Sequence, residues 1–368
     1  MKLDVKPIAW DETLGIVKKS ISISKSNLIT PTKSIRCANI SDYKKGCKVN
    51  EIAKRISPET IENFHGKDGF SQDFKAKTAK SFDPDCLNIV LFNLIGHQLP
   101  DKDLTETLAH VLYSSSDKII CLPAIQKAPI QSPTASGKSM KIDEDKVKRY
   151  LEFQEGIING IRLMNSKPIL GIIPLLVPKY TKQIINFYFE KEIFNFIIDA
   201  NTGNILNKEP DLRSILSSID DNAKEQKSSL ADTYIHAVNL GLKHFSADEV
   251  SSDDFLSLFA YVDTIGTKFK TRGAFNVKTE PRKKVFLRNR YAYKLLGNVP
   301  ETNPLSKLKQ ETITKINNYN EQQQFTETTK LKDMIGKERM DDYLKTKGGI
   351  SQETYGKLES ISSKIKIT

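Results

Sequence analysis

The sequence has few cysteines and no long apolar run. Its four cysteines, at Cys37, Cys47, Cys86 and Cys121, form no Cys-x-x-Cys pair, and no histidine stands beside one at ligand spacing. A disulfide framework is therefore not expected, and neither is a metal site. The longest apolar candidate, "PILGIIPLLVP", contains three prolines and is shorter than the roughly 18–20 residues that a membrane span needs.

The first residues do not predict a secretion signal. The stretch "MKLDVKPIAWDE" mixes acidic and basic residues and has no apolar core. With hydrophobic residues at 38% and charged residues at 27%, the composition is that of a globular protein with ample core material. We therefore expect a cytoplasmic protein with reduced thiols, without a membrane partner.

Apolar strand-like runs alternate with amphipathic helices from Cys86 to about residue 265. The runs "LNIVLFNL", "KIICLP", "PILGIIPL", "IFNFIIDA", "YIHAVNLG" and "AYVDTI" are separated by segments with helical spacing, such as residues 143–164. This alternation predicts parallel strands that are buried on both faces. With a strand near the N-terminus there are seven or eight strands, which favours a (β/α)8 TIM-barrel-like domain. An open doubly wound sheet is the alternative.

Two further parts complete the predicted organisation. Near the N-terminus, "SISISKSNLI" alternates apolar and polar residues around a polar turn, as in a β-hairpin. Residues 301–368 are rich in Lys, Gln, Thr and Glu with helical patches, which predicts a solvated helical appendage. We therefore expect a barrel-like domain over residues 1–300 and the appendage over residues 301–368.

Motifs for chemistry are sparse. "SPTASGKS" has Ser132 where a phosphate-binding loop needs its first glycine, and it does not directly follow a strand, so a polar loop is expected. His97 and His236 have no visible partner, which favours structural roles. Asp199 ends the run "FNFIID", at the strand end where barrel enzymes place catalytic groups. The residue type and position favour the alternative, a turn acid that caps the following segment. No cofactor is expected.

The positive charge is concentrated in one segment. Residues 267–294 hold ten Lys and Arg residues against a single acid, Glu280, which accounts for most of the net charge of +11. Aromatic residues are interleaved with these cations, and such a mixture favours nucleic acid, with cations on phosphates and rings stacked on unpaired bases. The expected phosphate contacts are Lys268, Lys270, Arg272, Lys283, Lys284, Arg288 and Arg290. The alternative is a solvated segment whose aromatic residues pack on the domain.

The order of these elements resembles the tRNA-guanine transglycosylase superfamily. The similar stretches are "LITPTKSI", "ILGIIPLLVPKYTKQI", "YIHAVNLG" and "VDTIGTKFKTR", the last in place of the family's Val-Asp-x-Phe-Asp … Thr-Arg segment. The resemblance implies a β/α barrel that exchanges a base in tRNA or DNA by means of two aspartates. An active member would be a pentosyltransferase.

The sequence departs from that family at decisive positions. Gly266 stands where the family has its nucleophilic aspartate, while Asp263 matches the other, non-nucleophilic acid. "KDGFSQ" is only vaguely similar to the family's base-recognition motif, and no cysteine follows Cys121 to build the usual zinc site. The resemblance therefore implies one of two proteins. The first is a catalytically degenerate member that binds substrate or acts as a partner, and the second is an enzyme whose catalytic groups are rearranged to Asp199 and Asp263.

Two other functions fit the same residues. The domain could serve as a non-enzymatic platform that binds partners through its helical C-terminus, or as a barrel enzyme that acts on a small phosphorylated substrate. The choice between RNA and DNA, the base concerned and the oligomeric state, homomeric or heteromeric, stay open at this level.

Overall fold

The computed structural model describes most of the chain. The described residues are 2–36, 49–67, 69–96, 98–125, 130–133, 140–164, 167–241, 248–267, 269 and 283–365. His97, Lys268, Lys270, Arg272 and the greater part of "SPTASGKS" lie outside them.

The strands of this part of the chain are, in order, β1 Asp4–Trp10, β2 Val17–Ile23, β3 Ser26–Ile29, β4 Thr32–Lys33, β5 Ile35–Arg36, β6 Val49–Ile56, β7 Leu87–Leu94, β8 Ile120–Cys121, β9 Ala124–Ile125, β10 Gln131–Pro133, β11 Met140–Ile142, β12 Ile169–Pro174, β13 Phe196–Asp199, β14 Ile235–Val238, β15 Glu249–Ser251, β16 Thr264–Ile265, β17 Lys284–Leu287 and β18 Ala292–Leu295. The α-helices are α1 Pro58–Gly66, α2 Phe70–Ala79, α3 Lys102–Ser114, α4 Glu144–Arg162, α5 Pro178–Glu190, α6 Glu209–Glu225, α7 Asp253–Leu256, α8 Ile313–Met334, α9 Met340–Lys345 and α10 Gln352–Lys364.

Two parallel sheets form the centre of the fold. One has six strands in the order β4-β16-β14-β13-β12-β8, and the other has four in the order β5-β6-β7-β9. Only Ser34 separates β4 from β5, and only two residues separate β8 from β9, so two short chain segments each contribute to both sheets. Every residue of β7 is buried, as expected for a parallel strand covered on both faces. The predicted α/β class with parallel strands is confirmed.

The helices between these strands follow the sequence signals. Ser57 caps α1 by accepting a hydrogen bond from the Thr60 backbone N–H, and Pro58 occupies the first turn. The helix predicted over residues 143–164 is α4, with Asp143 as its cap. The N-terminal stretch "SISISKSNLI" forms β2, a turn at Ser24 with a φ of 51°, and β3, in an antiparallel pair.

Two features of the strands were not evident from the sequence. β6 lies before Cys86, outside the runs from which strands are predicted. The run "AYVDTI" yields only the two residues of β16. Tyr261 adopts a φ of 58°, so the extended backbone cannot include it or begin before it.

The C-terminal helices pack on the rest of the molecule. α8 lies against β17 and β4 and buries Ile316 and Leu331, and α10 packs on α6. Arg213 of α6 donates to the Ser360 hydroxyl, and the Tyr261 hydroxyl donates to the Ile365 carbonyl at 2.5 Å. None of the described helices combines the length and the apolar character that would let it cross a membrane.

Candidate functional site at the carboxyl ends of the parallel strands

A cavity lies where the ends of β4, β5 and β16 meet α8 and the β17–β18 hairpin. Its volume is about 370 Å³. Carboxyl ends of parallel strands are where α/β proteins place their ligand sites. We call it the strand-end pocket, and it is lined by Lys33, Arg36, Leu240, Asp254, Gly266, Thr267, Lys283, Lys284, Tyr293, Ile313, Ile316, Asn317, Asn320, Glu321 and Gln324.

Lys33 lies at the base of this pocket and is almost fully buried. Its Nζ donates to the carbonyl oxygens of Ser34, Ile265 and Gly266, at 3.1, 3.3 and 3.1 Å. Burial lowers the pKa of Lys33, and the charges of Glu321 and Glu51 act against that change. Three carbonyl acceptors match the three donors of an ammonium group, so this side chain binds the end of β4 to the end of β16.

Glu51 and His236 form a buried pair behind the pocket. Glu51 Oε1 lies 2.7 Å from His236 Nε2, and both side chains are inaccessible to solvent. Glu51 Oε2 accepts hydrogen bonds from the backbone N–H and the hydroxyl of Thr267, each at 2.7 Å. Burial acts to raise the pKa of Glu51, but His236, Lys33 and Thr267 outweigh it and lower that pKa to about 2. The pair therefore presents an ionised carboxylate to the strand ends at neutral pH.

Gly266 has no room for a side chain. A Cβ atom built on it would lie 2.3 Å from Glu51 Oε1, 2.8 Å from Val238 Cγ1 and 3.0 Å from the Ala237 carbonyl oxygen. The carboxylate of Glu51, from the neighbouring β6, thus fills the space into which an aspartate at position 266 would project. A side chain at position 266 would therefore require Glu51 and Val238 to move.

Asp199 lies at the carboxyl end of β13 and is buried. Its Oδ1 accepts from the Asn201 backbone N–H and from Asn239 Nδ2, both at 2.9 Å. Asn239 Oδ1 in turn accepts from the Phe269 backbone N–H at 3.0 Å. These contacts are those of a turn-capping acid that also ties the end of β13 to the chain after β16.

Asp263 lies towards the opposite end of the parallel strands. Its backbone N–H donates to the Ile235 carbonyl, whereas Asp199 pairs with Val238, three residues further along β14. Three residues of a strand span roughly 10 Å, so the two aspartates do not meet. Burial raises the pKa of Asp263, opposed by Lys19, whose Nζ is 3.0 Å from its carboxylate in a fully buried pair. Asp199 and Asp263, the two proposed catalytic acids, therefore have different partners and do not share one site.

Four of the proposed phosphate contacts can be placed. Lys283 and Lys284 line the pocket and are half-buried; Lys283 Nζ donates to the Lys309 carbonyl, and Lys284 Nζ lies 5.0 Å from the centre of the Tyr293 ring. Arg288 and Arg290 are exposed on the hairpin. Arg290 Nε is 2.6 Å from a carboxylate oxygen of Glu249, which neutralises part of its charge.

The aromatic residues of the basic segment lie inside the molecule. Phe286, Tyr291 and Tyr293 are buried, and Phe286 and Tyr291 pack against Phe255 at centroid distances of 5.2 and 5.0 Å. Phe286 and Tyr291 are therefore unavailable to stack on bases, and Tyr293 reaches only the strand-end pocket. The aromatic residues among these cations therefore reflect a β-hairpin that packs on the domain.

No known family model matches this chain, and no curated protein matches it.

Sequence reasoning missed Glu51 and Lys33. Glu51 belongs to no quoted stretch, and Lys33 lies in "LITPTKSI" but has no role there. Each is a charged residue within a strand, where a position facing the interior cannot be told from one facing solvent. Among the described residues, no group of His, Cys, Asp and Glu side chains is arranged to hold a metal ion.

Proposed function

We propose that the protein binds nucleic acid at the carboxyl ends of its parallel strands and does not exchange bases there. The observation that supports binding is the set of cations at one edge of the fold, Lys283, Lys284 and Arg288, next to a pocket of about 370 Å³. Lys and Arg at such an edge neutralise backbone phosphates. Lys268, Lys270 and Arg272, outside the described residues, belong to the same basic segment of the sequence.

The two parallel sheets belong, in this proposal, to one closed (β/α)8 barrel. In support, β4 and β5 are nearly continuous and link the two sheets on one side, as β8 and β9 do on the other. Following the pairings from β5 through β9 and from β8 through β16 returns to β4, with the strands in chain order. In this proposal the order of elements resembles that of the tRNA-guanine transglycosylases, and tRNA or DNA is the ligand that the resemblance implies.

The positions of the acidic residues support a binding role without base exchange. A transglycosylase of that type needs two carboxylates at one barrel mouth, one of them a nucleophile. Here the nucleophile position is Gly266, blocked by Glu51, and Asp263 is buried against Lys19. The protein is therefore a catalytically degenerate relative of such enzymes, acting as a binding or partner protein.

Fluorescence anisotropy with labelled single-stranded RNA and DNA, measured across a salt series, tests the binding role. The rim variant Lys283→Gln, Lys284→Gln, Arg288→Gln should bind more weakly. Each lost phosphate contact lowers the slope of log affinity against log salt by roughly 0.7–0.9, or about 2 to 3 for all three.

A matched variant, Lys25→Gln, Lys77→Gln, Lys182→Gln, removes the same charge from exposed positions elsewhere. It should keep the wild-type slope. Unchanged affinity in the rim variant, or an equal loss in both variants, would refute the proposed interface. Incorporation of labelled guanine into tRNA or DNA by the purified protein would refute the non-catalytic part.

A further inference from the structure

A second cavity lies between the four-stranded parallel sheet and the helices that cover it. Its volume is about 290 Å³, and it is bounded by β6, β7 and β9, by α1 and by the start of α3. It shares no described lining residue with the strand-end pocket. We call it the helix-side pocket.

The alternation of side chains along the strands places this pocket on the outer face of the sheet. Glu51 of β6 projects towards β14, so Ile56, five residues later, projects from the opposite face. Leu94 of β7 pairs with Ile56 in the strand register. It also lies two residues after Phe92, whose ring centre is 6.5 Å from that of Phe74 in α2. Ile56 and Leu94 therefore face the helices.

The interior of the helix-side pocket is apolar. Ile56, Ile61, Leu94 and Ile125 line it and are each at most 8% exposed. Leu104 of α3 is half-buried and lines it as well. Such a lining favours a ligand with a non-polar body. The volume is close to the lower limit for small-molecule sites, roughly 300 Å³, so one ring system or a short alkyl chain matches it.

The entrance of the pocket carries acidic side chains and no basic ones among the described lining residues. The acids are Glu62, exposed on α1, and Asp101, exposed just before α3. An acidic lining is unexpected in a chain whose net charge is +11. Because opposite charges attract, these carboxylates favour a ligand with a cationic group and disfavour a phosphate or a carboxylate.

The helix ends beside the entrance do not reverse this preference. α1 and α3 both begin there, and the backbone N–H groups of a helix N-terminus attract anions. The Ser57 side chain accepts from the Thr60 N–H of α1, and Asp101 Oδ1 accepts from the Leu104 N–H of α3 at 2.9 Å. Each helix end is therefore already capped by the chain, and at α3 the cap itself is an acid.

We propose that the helix-side pocket binds a small hydrophobic amine, with its apolar body against Ile56, Leu94 and Ile125 and its cationic nitrogen at Glu62 and Asp101. This site is separate from the proposed nucleic-acid surface. The two sites have different linings and select ligands of opposite charge.

Isothermal titration calorimetry with three ligands that share an indole ring tests the charge preference. Tryptamine carries an ammonium group, tryptophol a hydroxyl group and indole-3-acetate a carboxylate. Tryptamine should bind about threefold more tightly than tryptophol, the modest gain of a solvent-exposed ion pair, and about tenfold more tightly than indole-3-acetate. Equal affinity for the three ligands, or no binding of tryptamine, would overturn the inference.

Glu62→Gln removes the charge of one entrance acid and keeps its shape. It should reduce the advantage of tryptamine over tryptophol to less than about twofold and leave the affinity for tryptophol unchanged. Glu59→Gln, exposed on the same helix and outside the pocket lining, is the matched control and should keep the wild-type preference. A full tryptamine preference in Glu62→Gln would overturn the position given to the cationic nitrogen.

Leu104→Trp tests the location, because it places a large ring in the pocket from α3. It should weaken tryptamine binding about tenfold, whereas Glu106→Trp, on the exposed face of the same helix, should not. Circular dichroism checks the folding of both variants. If Leu104→Trp does not fold, Leu99→Trp, half-buried in the loop before α3, takes its place. Normal tryptamine binding by the folded pocket variant would refute the location.

The two proposals can fail separately. The rim variant Lys283→Gln, Lys284→Gln, Arg288→Gln should bind tryptamine like the wild type. Nucleic-acid binding without tryptamine binding would refute the helix-side pocket alone. Tryptamine binding in a protein whose rim variant and matched control bind nucleic acid equally would refute the nucleic-acid surface alone.

Discussion

At the scale of single residues, the buried carboxylate of Glu51 lies beneath the carboxyl ends of the strands. Glu51 projects from β6 towards β14 and β16, where it contacts His236 and Thr267. A buried carboxylate is costly unless it is paired and hydrogen-bonded. Here Glu51 Oε2 accepts two hydrogen bonds from Thr267, and Oε1 lies 2.7 Å from His236 Nε2. The same carboxylate fills the space at Gly266, so one side chain both orders the strand ends and closes the position at which a nucleophile would stand.

Glu51→Gln should destabilise the protein by about 3 kcal/mol at neutral pH. The pKa of Glu51 falls from 4.5 to about 2 on folding, and each pKa unit corresponds to about 1.4 kcal/mol. Because the folded pKa is the lower one, this stability is fully present above pH 4.5 and is lost as the pH falls towards 2. Urea unfolding of wild type and variant at pH 7 and pH 3 measures the difference, which should shrink at the lower pH.

Glu106→Gln, on the exposed face of α3, provides the control and should change stability by less than about 0.5 kcal/mol. A Glu51→Gln variant as stable as the wild type at pH 7 would contradict the role given to the pair.

At the scale of elements, a buried cluster joins α8 and α9 to the β17–β18 hairpin. Glu327 Oε1 accepts from the Tyr291 hydroxyl at 2.8 Å, from the Tyr343 hydroxyl at 2.5 Å and from Lys347 Nζ at 3.0 Å. Burial acts to raise the pKa of Glu327, but the Tyr343 hydrogen bond and the charge of Lys347 outweigh it and lower that pKa. Lys347 also donates to the Arg288 carbonyl, so the cluster fixes the turn that carries the exposed cations.

Lys347→Met should destabilise the protein by about 3–5 kcal/mol, because it leaves the buried carboxylate without its cation. Amide hydrogen exchange should rise first in α9 and in the β17–β18 hairpin. Mass spectrometry of exchanged peptides and urea unfolding measure the two effects.

Lys345→Met removes a lysine two residues away that pairs with Asp341 and is 58% exposed. Asp341 also pairs with Arg339, so its carboxylate keeps a cation when Lys345 is replaced. The exposed lysine contributes at most about 1 kcal/mol, and this control should exchange like the wild type. Equal behaviour of the two variants would show that the cluster does not hold the hairpin.

At the scale of the whole molecule, the C-terminal helices are part of the core. Leu331, Ile335, Met340, Leu344, Leu358 and Ile361 are nearly or completely buried. Burial of each such side chain contributes about 1.5–3 kcal/mol, so together they contribute on the order of 10 kcal/mol, comparable with the stability of an entire domain.

Removal of residues 311–368 should therefore abolish cooperative folding. Circular dichroism and a thermal melt of the truncated chain measure this, and we expect no sharp transition. Removal of residues 366–368 alone is the control and should preserve the melt. A truncated chain that melts sharply would mean that residues 301–368 are a separable appendage, as their composition suggests.

The sequence predicted the elements better than the contacts between them. The apolar runs around β7, β12 and β13 and the capped starts of α1 and α4 follow from local patterns, since burial on both faces and capping each leave a signature in consecutive residues. β6 was missed because its interior-facing residues include Asn50 and Glu51. The one-sided charge of residues 267–294 was visible, but the burial of Phe286, Tyr291 and Tyr293 was not.

By itself, the sequence determined the α/β class, the concentration of positive charge and the absence of an aspartate at position 266. These properties depend on residue type and short-range periodicity. Only the tertiary structure decided that Asp199 and Asp263 lie apart, that Glu51 fills the space at Gly266 and that α8 completes a pocket beside the cations. Those outcomes depend on which distant segments pack together, because side chains separated by tens or hundreds of residues share one interior only after the strands have paired.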